Sequence, residues 1–480
     1  MTANGRAPQG SQNRGGERWQ SLSRLNILIA GTAAIIGVIY GYDLGSIASA
    51  ILFLKPDLGL STFMVSVVTA TVVLGQLFGA FNAGRITNWI GRKRTMVGIA
   101  LGYAVFAALQ GLAPNEWFLI VARFLLGFTI GVSIVTAPAY IAESSPRSVR
   151  GSMIVTFQVA TVSGIAVAYF VGAALAGLES WRLILSLSAI PALLVLYPII
   201  RLPDTSRWYL MNDQRGEALD LIGKVQGDVD PEEEVRRIEE DLSYEEKGSF
   251  PELFQGRFRK AGIFVVTLGF LVQITGINAI VYYSPTIIQE VGVTDPFQAI
   301  VINGFIQVAG VVAVVVSFLV VDRWGRRPTL LTGVGAMAAA NAILVVAFAM
   351  GPSAILAFLG ILLFIVGFNF GYGSLVWVYA SESFPARLRT QGGSAMLTSD
   401  LLANFIVGVV FLSALGALGG PLTFAIFMVL AMLSFVFIYA MAPETKGRQL
   451  EAIRHYWYNG GSWPDETGTR TGPERASERG

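Results

Sequence analysis

The chain has 480 residues, of which 54% are hydrophobic and only 14% are charged, and its formal net charge is +2. This composition exceeds what the core of one soluble domain buries, and it excludes a soluble globular protein. The 34 Lys and Arg residues are dispersed among short segments, which excludes a nucleic-acid-binding footprint. The sequence has no Cys, no cluster of metal ligands and no nucleophile beside a base, so we expect neither an enzyme nor a bound cofactor or metal.

The apolar residues gather in about twelve runs, each close to the ~20 residues that a helix needs to cross a bilayer. Lipid offers no hydrogen-bond partner for free backbone groups, so the sequence predicts an all-α membrane protein. We number the runs as spans 1 to 12. In chain order they begin near Leu25, Thr62, Thr95, Trp117, Met153, Leu183, Ala261, Ala299, Thr329, Ser353, Gly392 and Pro421.

One long polar insert divides the spans into two groups of six. The prediction therefore has five segments: a disordered N-terminus (1–24), a six-helix bundle (25–201), a linker with short helices (202–260), a second six-helix bundle (261–441) and a tail (442–480). With both termini in the cytoplasm, only Lys55, Arg123 and Arg182 among the Lys and Arg residues fall outside cytoplasmic segments. This bias predicts a multi-pass protein of the cell membrane with both termini cytoplasmic.

The sequence repeats itself between the two groups of spans. "YIAESSPRSVR" runs from Tyr140 to Arg150, and "YASESFPARLR" runs from Tyr379 to Arg389. "NWIGRK" after span 2 matches "DRWGRR" after span 8, and "PDTSR" after span 6 matches "PETKG" after span 12. The duplication predicts two pseudo-symmetric six-helix bundles.

The order and position of these motifs make the chain similar to the sugar porter family of the major facilitator superfamily, from about Leu25 to Gly447. Besides the repeats, the motifs include "GYDLGS" in span 1, "RFLLGFTIG" in span 4 and "QITGINAIVYYSP" in span 7. The resemblance implies the major facilitator fold and transport by alternating access, in which the two halves rock around a central site.

Three charged residues lie within spans, where a charge costs ~2.5 to 3.5 kcal/mol on insertion scales. They are Asp43, Arg123 and Asp400. Arg123 shares a helix face with Gly127 and Gly131, which permit a neighbouring helix to approach, and Asp43 on span 1 is the expected partner. The resemblance implies a proton-coupling role for this pair, because proton-coupled sugar porters carry an acid at the position of Asp43. A purely structural salt bridge is the alternative.

The resemblance implies a substrate site between the halves. The family's sugar-binding positions fall on Gln158, Gln273, Asn278, Tyr282, Gly373 and Trp377. Amides suit hydroxyl groups as donors and acceptors together, and aromatic rings pack on the apolar face of a sugar. Gln273 and Asn278 would face apart in an unbroken helix, so we expect Gly276 to break span 7. The alternative is that these amides only join neighbouring helices.

The sequence departs from the family pattern at six positions around this site. They are Ile165, Val272, Gly310, Ser374, Asp400 and Leu401. Each lost amide forfeits a hydroxyl contact worth ~0.5 to 1.5 kcal/mol, so a sugar must be held in an altered way. Asp400, one turn before Asn404, is included among the substrate-binding candidates. Its possible roles are a second proton site, a counter-ion for a cationic substrate, a hydroxyl acceptor or a structural acid.

The repeated loops carry a candidate gate. Each repeat places a Glu at the end of one span and an Arg at the start of the next, close to a basic loop. The gating candidates are Arg92, Glu143, Arg150, Arg326, Glu382 and Arg389. Such charges can form an interdomain network that closes the cytoplasmic side and breaks when that side opens. Asn88 replaces the family's Asp in the first half, whereas the second half keeps Asp322. The alternative is that the charges only mark helix ends at the lipid headgroups.

We therefore expect a proton-coupled symporter of a sugar or polyol, working as a monomer in the lipid bilayer. A transporter of an organic cation or another non-sugar metabolite on the same fold is the alternative. A membrane sensor is disfavoured because the tail is short, polar and rich in Gly and Pro, without a large signalling extension.

Overall fold

A computed structural model describes residues 24–146, 150–225, 229–245, 249–351, 353–448 and 450–463. The predicted N-terminal segment before Arg24 and the tail after residue 463 lie outside the described residues. Every regular element within the described ranges is a helix. The chain is therefore all-α, as its composition predicts.

The first half contains six spans, each of which begins within about one turn of its predicted position. Their bounds are Arg24–Asp57, Thr62–Ile90, Arg92–Gly111, Glu116–Ser144 and Arg150–Leu175, followed by span 6 as Trp181–Ser186 and Ala189–Arg201. Ser61 caps span 2 by accepting a hydrogen bond from Met64 N, and Asn115 caps span 4 in the same way. Capping residues therefore fix where these apolar helices begin.

The second half also contains six spans, two of them broken. Spans 7 to 10 are Arg259–Ile274 with Ile277–Glu290, Pro296–Trp324, Arg326–Ala349, and Ala354–Phe370 with Tyr372–Glu382. Spans 11 and 12 follow as one run, Ala386–Met441, interrupted at Gly419, whose φ of 74° favours glycine. Span 11 begins before the predicted Gly392, because a polar stretch continues the helix outside the apolar run.

Ten helical stretches of the described chain are long and apolar enough to cross a membrane. Two features account for the difference from twelve. Spans 11 and 12 form one run, and span 3 begins with three basic residues and ends near the polar Gln110, which lowers its hydropathy. With these counted, two groups of six spans are present, and the predicted all-α membrane fold is confirmed.

Glycines bring the backbones of neighbouring spans close together. A Cβ atom at Gly127 of span 4 would lie 2.0 Å from the carbonyl oxygen of Val72 on span 2. The glycines of span 4 therefore admit span 2, which corrects the expectation that they admit span 1. Span 1 packs instead against span 5, where a Cβ at Gly41 would lie 1.8 Å from Thr161 O.

Gly127→Ala is expected to lower the free energy of unfolding by about 3 kcal/mol, because the added methyl group forces two backbones apart. Gly84→Ala on span 2 is the matched control, since nothing lies within 4 Å of its Cβ position. Thermal unfolding of both variants in detergent measures the difference. Equal melting temperatures would contradict the close packing of spans 2 and 4.

We call the side that carries the linker the linker side and the opposite side the distal side. The described hydrogen bonds and ring contacts between the two halves lie toward the distal side. Tyr169 donates to Val281 O at 2.7 Å, and Phe170 packs edge-on against Phe305 with ring centroids 5.5 Å apart. Trp377, nearer the linker side, is 44% exposed. In the described conformation the two halves are therefore joined on the distal side.

The linker touches both halves. It contains the helices Ser206–Met211, Arg215–Val225 and Pro231–Glu245, and a last helix, Leu450–Tyr458, follows span 12. Asn26 of span 1 donates through Nδ2 to Val225 O at 3.3 Å, and Arg387 of span 11 pairs with Glu252. One end of the linker is thus attached to the first half and the other end to the second.

Candidate functional site

Asp43 and Arg123 meet inside the first half. Arg123 Nη1 lies 3.9 Å from Asp43 Oδ1, and the two side chains are only 0% and 5% exposed, respectively. This distance is too long for a hydrogen bond, so the contact is a loose ion pair in a buried setting. Two spans far apart in sequence thus bring together the two charges that the sequence singled out.

Arg123 has two further partners, and both are neutral. Its Nε donates to Val68 O at 2.7 Å, and its Nη1 donates to Gln110 Oε1 at 3.1 Å. Asp43 Oδ2 and Arg123 Nη2 are enclosed without a hydrogen-bond partner. The arginine therefore stays anchored whether or not Asp43 carries a charge. Gln110 was missed from the sequence, because a lone amide in the last turn of an apolar span has no distinguishing spacing.

Span 7 breaks where the sequence predicts it. Its first helix ends at Ile274, its second begins at Ile277, and Gly276 between them has a φ of 102°. Only glycine adopts this conformation readily. The break turns Gln273 toward Asn278, whose Nδ2 donates to Gln273 Oε1 at 2.7 Å.

Asp400 of span 11 completes a polar group at this break. Gln273 Nε2 donates to Asp400 Oδ1 at 3.0 Å. Asp400, Gln273 and Asn278 are each at most 9% exposed, and they form a continuous row of carboxylate, amide and amide. No basic side chain among the described residues pairs with Asp400. It is therefore a buried carboxylate held by an amide rather than by a cation.

The other substrate candidates lie on spans 5, 7 and 10. Gln158 is half-buried, Gly373 is buried, and Trp377 is exposed about one turn after Gly373. Tyr282 is 1% exposed, and its hydroxyl is enclosed without a hydrogen-bond partner beside Asn404. The structure thus groups the polar candidates of spans 7 and 11, and records no hydrogen bond from Gln158 to that group.

Two departures from the family pattern have a structural reason. A Cβ at Gly310 would lie 3.0 Å from Asn369 Nδ2, so an amide on span 10 occupies the space beside this glycine. Ser374 Oγ donates to Asn369 O at 2.7 Å where span 10 breaks, which the family's proline could not do. Asn369 was missed from the sequence because it matches no family position considered there.

Glu143 at the end of span 4 is the centre of a charged cluster in the first half. Arg92 Nε lies 3.0 Å from Glu143 Oε2, and Thr205 Oγ1 donates to the same oxygen at 2.6 Å. Asn88, which stands where the family has an acid, offers no carboxylate to Arg92. Arg92 accordingly binds Glu143.

Asp204, in the loop after span 6, caps span 3. It accepts hydrogen bonds from Arg92 N at 2.9 Å and Lys93 N at 3.2 Å, as a carboxylate at a helix N-terminus does. A Cβ at Gly91 would lie 2.3 Å from Asp204 Oδ2, so glycine is required there. Burial raises the pKa of Asp204, and the backbone hydrogen bonds it accepts oppose that rise. On acidification Asp204 therefore takes up a proton, and the cap loses its charge, at a higher pH than for an aspartate exposed to water.

The second half repeats the cap but not the central ion pair. Glu444 accepts a hydrogen bond from Arg326 N at 3.0 Å, as Asp204 does for span 3. Arg326 Nη1 lies 3.1 Å from Asp322 Oδ1, whose side chain is 78% exposed. Glu382 lies beside Thr445 and near Arg326, and it forms no described ion pair. The two halves thus pair differently. Arg326 pairs with Asp322 in the second half, whereas residue 88 is Asn in the first half and Arg92 pairs with Glu143.

Each ion pair just described joins residues of one half. The candidate gate does not bridge the two halves through these pairs in this conformation, and an interdomain network stays a prediction for the opposite conformation. Arg150 begins span 5, and its side chain lies outside the described part of the chain. Arg389 is half-buried in the second turn of span 11.

Two six-helix bundles joined on the distal side, with charges and amides buried within their apolar spans, are the architecture of a membrane transporter. The family model for "Sugar (and other) transporter" matches residues 29–457. The chain therefore belongs to the sugar transporter family of the major facilitator superfamily, and it is a multi-pass transporter rather than an enzyme.

Two curated relatives illustrate the range of this family. The chain is 32% identical over 439 residues to the galactose-proton symporter of Escherichia coli (strain K12), covering 90% of this chain and 95% of that protein. It is 29% identical over 476 residues to polyol transporter 5 of Arabidopsis thaliana, covering 92% and 88%. Both likenesses extend over nearly the whole chain.

A solved structure supports the fold independently. The partially occluded, inward-open xylose transporter of Escherichia coli superposes with a TM-score of 0.78 at 22% identity. The match covers 89% of this chain and 100% of that one. At this identity the likeness concerns the fold alone.

Proposed function

We propose that the chain is a proton-coupled symporter of a neutral sugar or polyol, working by alternating access as a monomer in the cell membrane. The names of its relatives favour this substrate class, since one is a galactose-proton symporter and another a polyol transporter. The dispersion of basic residues favours both termini in the cytoplasm, so that the linker side is the cytoplasmic side.

The observation that carries the proton-coupling role is the loose pair of Asp43 and Arg123. Asp43 has one cation within reach, at 3.9 Å, whereas Arg123 is also held by Val68 O and Gln110. Protonation of Asp43 would remove the attraction while Arg123 keeps its bonds to Val68 O and Gln110, and the buried guanidinium would then favour a conformation that supplies it with another partner. A proton could thus separate span 1 from span 4 at low cost, which is what a coupling step between conformations needs.

The substrate would bind beside the amide pair of span 7. Gln273 and Asn278 would provide the polar groups there, and the exposed Trp377 of span 10 would provide an aromatic surface for the apolar face of a sugar. Gln158 and Gly373 would complete the wall from spans 5 and 10. This arrangement matches the mix of apolar surface and few directed polar groups that small-molecule sites use.

A second candidate function is transport of an organic cation. Its support is Asp400, a buried carboxylate with no basic partner in the described chain. A cationic ligand could supply the missing charge. The neutral sugar or polyol remains the favoured substrate, because Gln273 already satisfies one oxygen of Asp400 and the named relatives carry sugars and polyols.

The deciding experiment is uptake by purified protein in liposomes with an acidic exterior. A panel of D-galactose, D-xylose, sorbitol, choline and an aromatic amine covers the two substrate classes. We expect gradient-driven accumulation of a neutral member and of no cation. Accumulation of a cation alone would replace the first function by the second, and facilitated uptake without any pH dependence would remove proton coupling.

The gating role is part of the same proposal. In the described conformation the carboxylate of Glu382 lies beside Thr445 and near Arg326 without a described ion pair, whereas Glu143 accepts bonds from Arg92 and Thr205. We infer that Glu382 gains an ion-pair partner when the linker side closes. Its charge would then stabilise the closed conformation and cost free energy in the open one.

Glu382→Gln should therefore shift the protein toward the conformation that is open on the linker side. Ser284 lies fully buried in the distal contact between the halves, so a thiol in Ser284→Cys reacts only when the distal side opens. We expect Glu382→Gln to slow this labelling roughly ten-fold, the effect of one charged hydrogen bond. Asp322→Asn, which changes an exposed acid, is the control. Equal or faster labelling in Glu382→Gln would contradict the gating role, and Glu382 would then only mark a helix end at the lipid headgroups.

A further inference from the structure

The row formed by Asp400, Gln273 and Asn278 has a direction. An ionised carboxylate only accepts hydrogen bonds, so the Gln273 NH2 group must face Asp400. The Gln273 oxygen then faces Asn278 and must receive a donor, which is the Asn278 NH2 group at 2.7 Å. One carboxylate thus fixes the orientation of two amides, each of which could otherwise point either way.

The row has one free acceptor oxygen at each end. Asn278 Oδ1 and Asp400 Oδ2 receive no hydrogen bond from the described chain, and neither is among its fully enclosed polar atoms. Both residues are still 8% to 9% exposed. A ligand that reaches the break of span 7 therefore meets these two acceptor oxygens, together with the second N–H of each amide, for which no hydrogen bond is described.

The charged and titratable groups around Asp400 do not prevent it from fixing the orientation of the two amides. From span 7 it faces Gln273, and from span 1 the titratable group nearest to it is Tyr40, with Asp43 close to the same tyrosine. The nearby base, Arg123, is committed to Asp43, Val68 O and Gln110. No basic group of the described chain competes with Gln273 for the carboxylate.

We propose that Asp400 is a specificity-determining residue that fixes two acceptor oxygens in this subsite, one at each end of the row, so that it favours ligands with hydroxyl donors that reach these oxygens. The proposal rests on the proposed function, because it names the hydroxyl pattern of that substrate. When Asp400 takes up a proton, its carboxyl group donates as well as accepts, so the direction of the two amides is no longer fixed and Asn278 can present either its oxygen or its N–H groups. An Asn at position 400 could hold Gln273 but could not fix this direction, since it donates and accepts equally.

The first test compares ligands that keep or lose a donor. D-galactose and its monodeoxyfluoro analogues differ by one O–H donor, because fluorine keeps the size of the hydroxyl but cannot donate. Binding is measured by thermal shift and isothermal titration on the full chain in detergent. For the wild type we expect a roughly ten-fold loss of affinity at one or two positions of the sugar. For Asp400→Asn we expect a loss at those positions of less than about three-fold.

Ser399→Ala is the matched control for a change on span 11. Ser399 precedes Asp400 and donates to Val266 O at 2.7 Å, outside the row. It should keep the wild-type discrimination between galactose and its fluorinated analogues. If Asp400→Asn discriminates among the analogues as strongly as the wild type, the specificity role of Asp400 is wrong, although the proposed transport function would stand.

A second measurement needs no ligand and no folded Asp400 variant. Infrared difference spectra of the wild type between acidic and neutral pH report carboxyl protonation and side-chain amide carbonyls together. We expect a carboxyl band to appear on acidification in step with a shift of amide bands, and Asn278→Ala to remove part of that shift. A titrating carboxyl without any amide shift would overturn the proposal. If no sugar binds while the coupled bands are present, the proposed substrate class fails and the directed row remains.

Discussion

We expect Asp43→Asn to abolish the uptake that is driven by a pH gradient and to leave exchange of substrate at equal pH on both sides largely intact. Asparagine cannot release or take up a proton, so the variant has lost the charge change that links proton and substrate movement. Arg123 keeps its bonds to Val68 O and Gln110, so the site should not collapse. Accumulation above the external concentration should fall to zero, while counterflow of labelled substrate continues.

The matched control is Asp57→Asn on the same span. Asp57 lies at the distal end of span 1, where its side chain is 48% exposed and pairs with Arg182 at 2.8 Å. An exposed pair of this kind contributes about 0 to 1 kcal/mol, so gradient-driven uptake should survive. Loss of uptake, exchange and folded protein together in Asp43→Asn would support the structural salt bridge and remove the coupling role.

The positions of the spans and the break in span 7 could be predicted because each depends on local sequence. An apolar run of membrane length must satisfy its own backbone, which makes it a helix wherever it packs. The break at Gly276 could be predicted because Gln273 and Asn278 would face apart in an unbroken helix. Glycine is the residue that most readily adopts the positive φ of such a break. Span 11 shows the limit of this signal, since the apolar run marks only the part of a helix that lies in lipid.

The partners of the buried polar groups could not be predicted, because they join residues far apart in the chain. Gln273 and Asp400 are 127 positions apart, and nothing in either motif points to the other. Gln110 became visible only once Arg123 was placed, and Asn369 only once Gly310 was seen to leave room for it. A single sequence indicates which residues are expensive to bury, but the packing of spans decides what satisfies them.

The charged loops show the same limit in another form. Their duplication was evident in the sequence, and it drew attention to Glu143 and Glu382. Which base each acid contacts depends on the conformation and on one neighbour. Arg92 binds Glu143 where residue 88 is neutral, and Arg326 binds Asp322 where an acid is present. A repeated motif therefore does not imply repeated contacts.

Asp400→Asn separates the two candidate functions through the charge of the ligand. A cation bound to Asp400 loses a charge-assisted hydrogen bond in the variant, worth ~1.5 to 3 kcal/mol, or roughly ten- to a hundred-fold in affinity. A neutral polyol can still donate a hydroxyl to the asparagine oxygen, so its affinity should change by less than about three-fold. We expect the neutral pattern, since the named relatives carry sugars and polyols.

The measurement is binding of the best neutral ligand and the best cationic ligand to the wild type and to Asp400→Asn, from about pH 5 to about pH 8. Asn404→Ala, one turn along span 11, is the control for a polar residue removed from the same wall. In the sugar assignment, any steep pH dependence of transport follows Asp43 and survives in Asp400→Asn. Tight binding of a cation to the wild type, lost selectively in Asp400→Asn, would overturn the sugar assignment. Tight binding of a neutral polyol, retained in the variant, would exclude the cation.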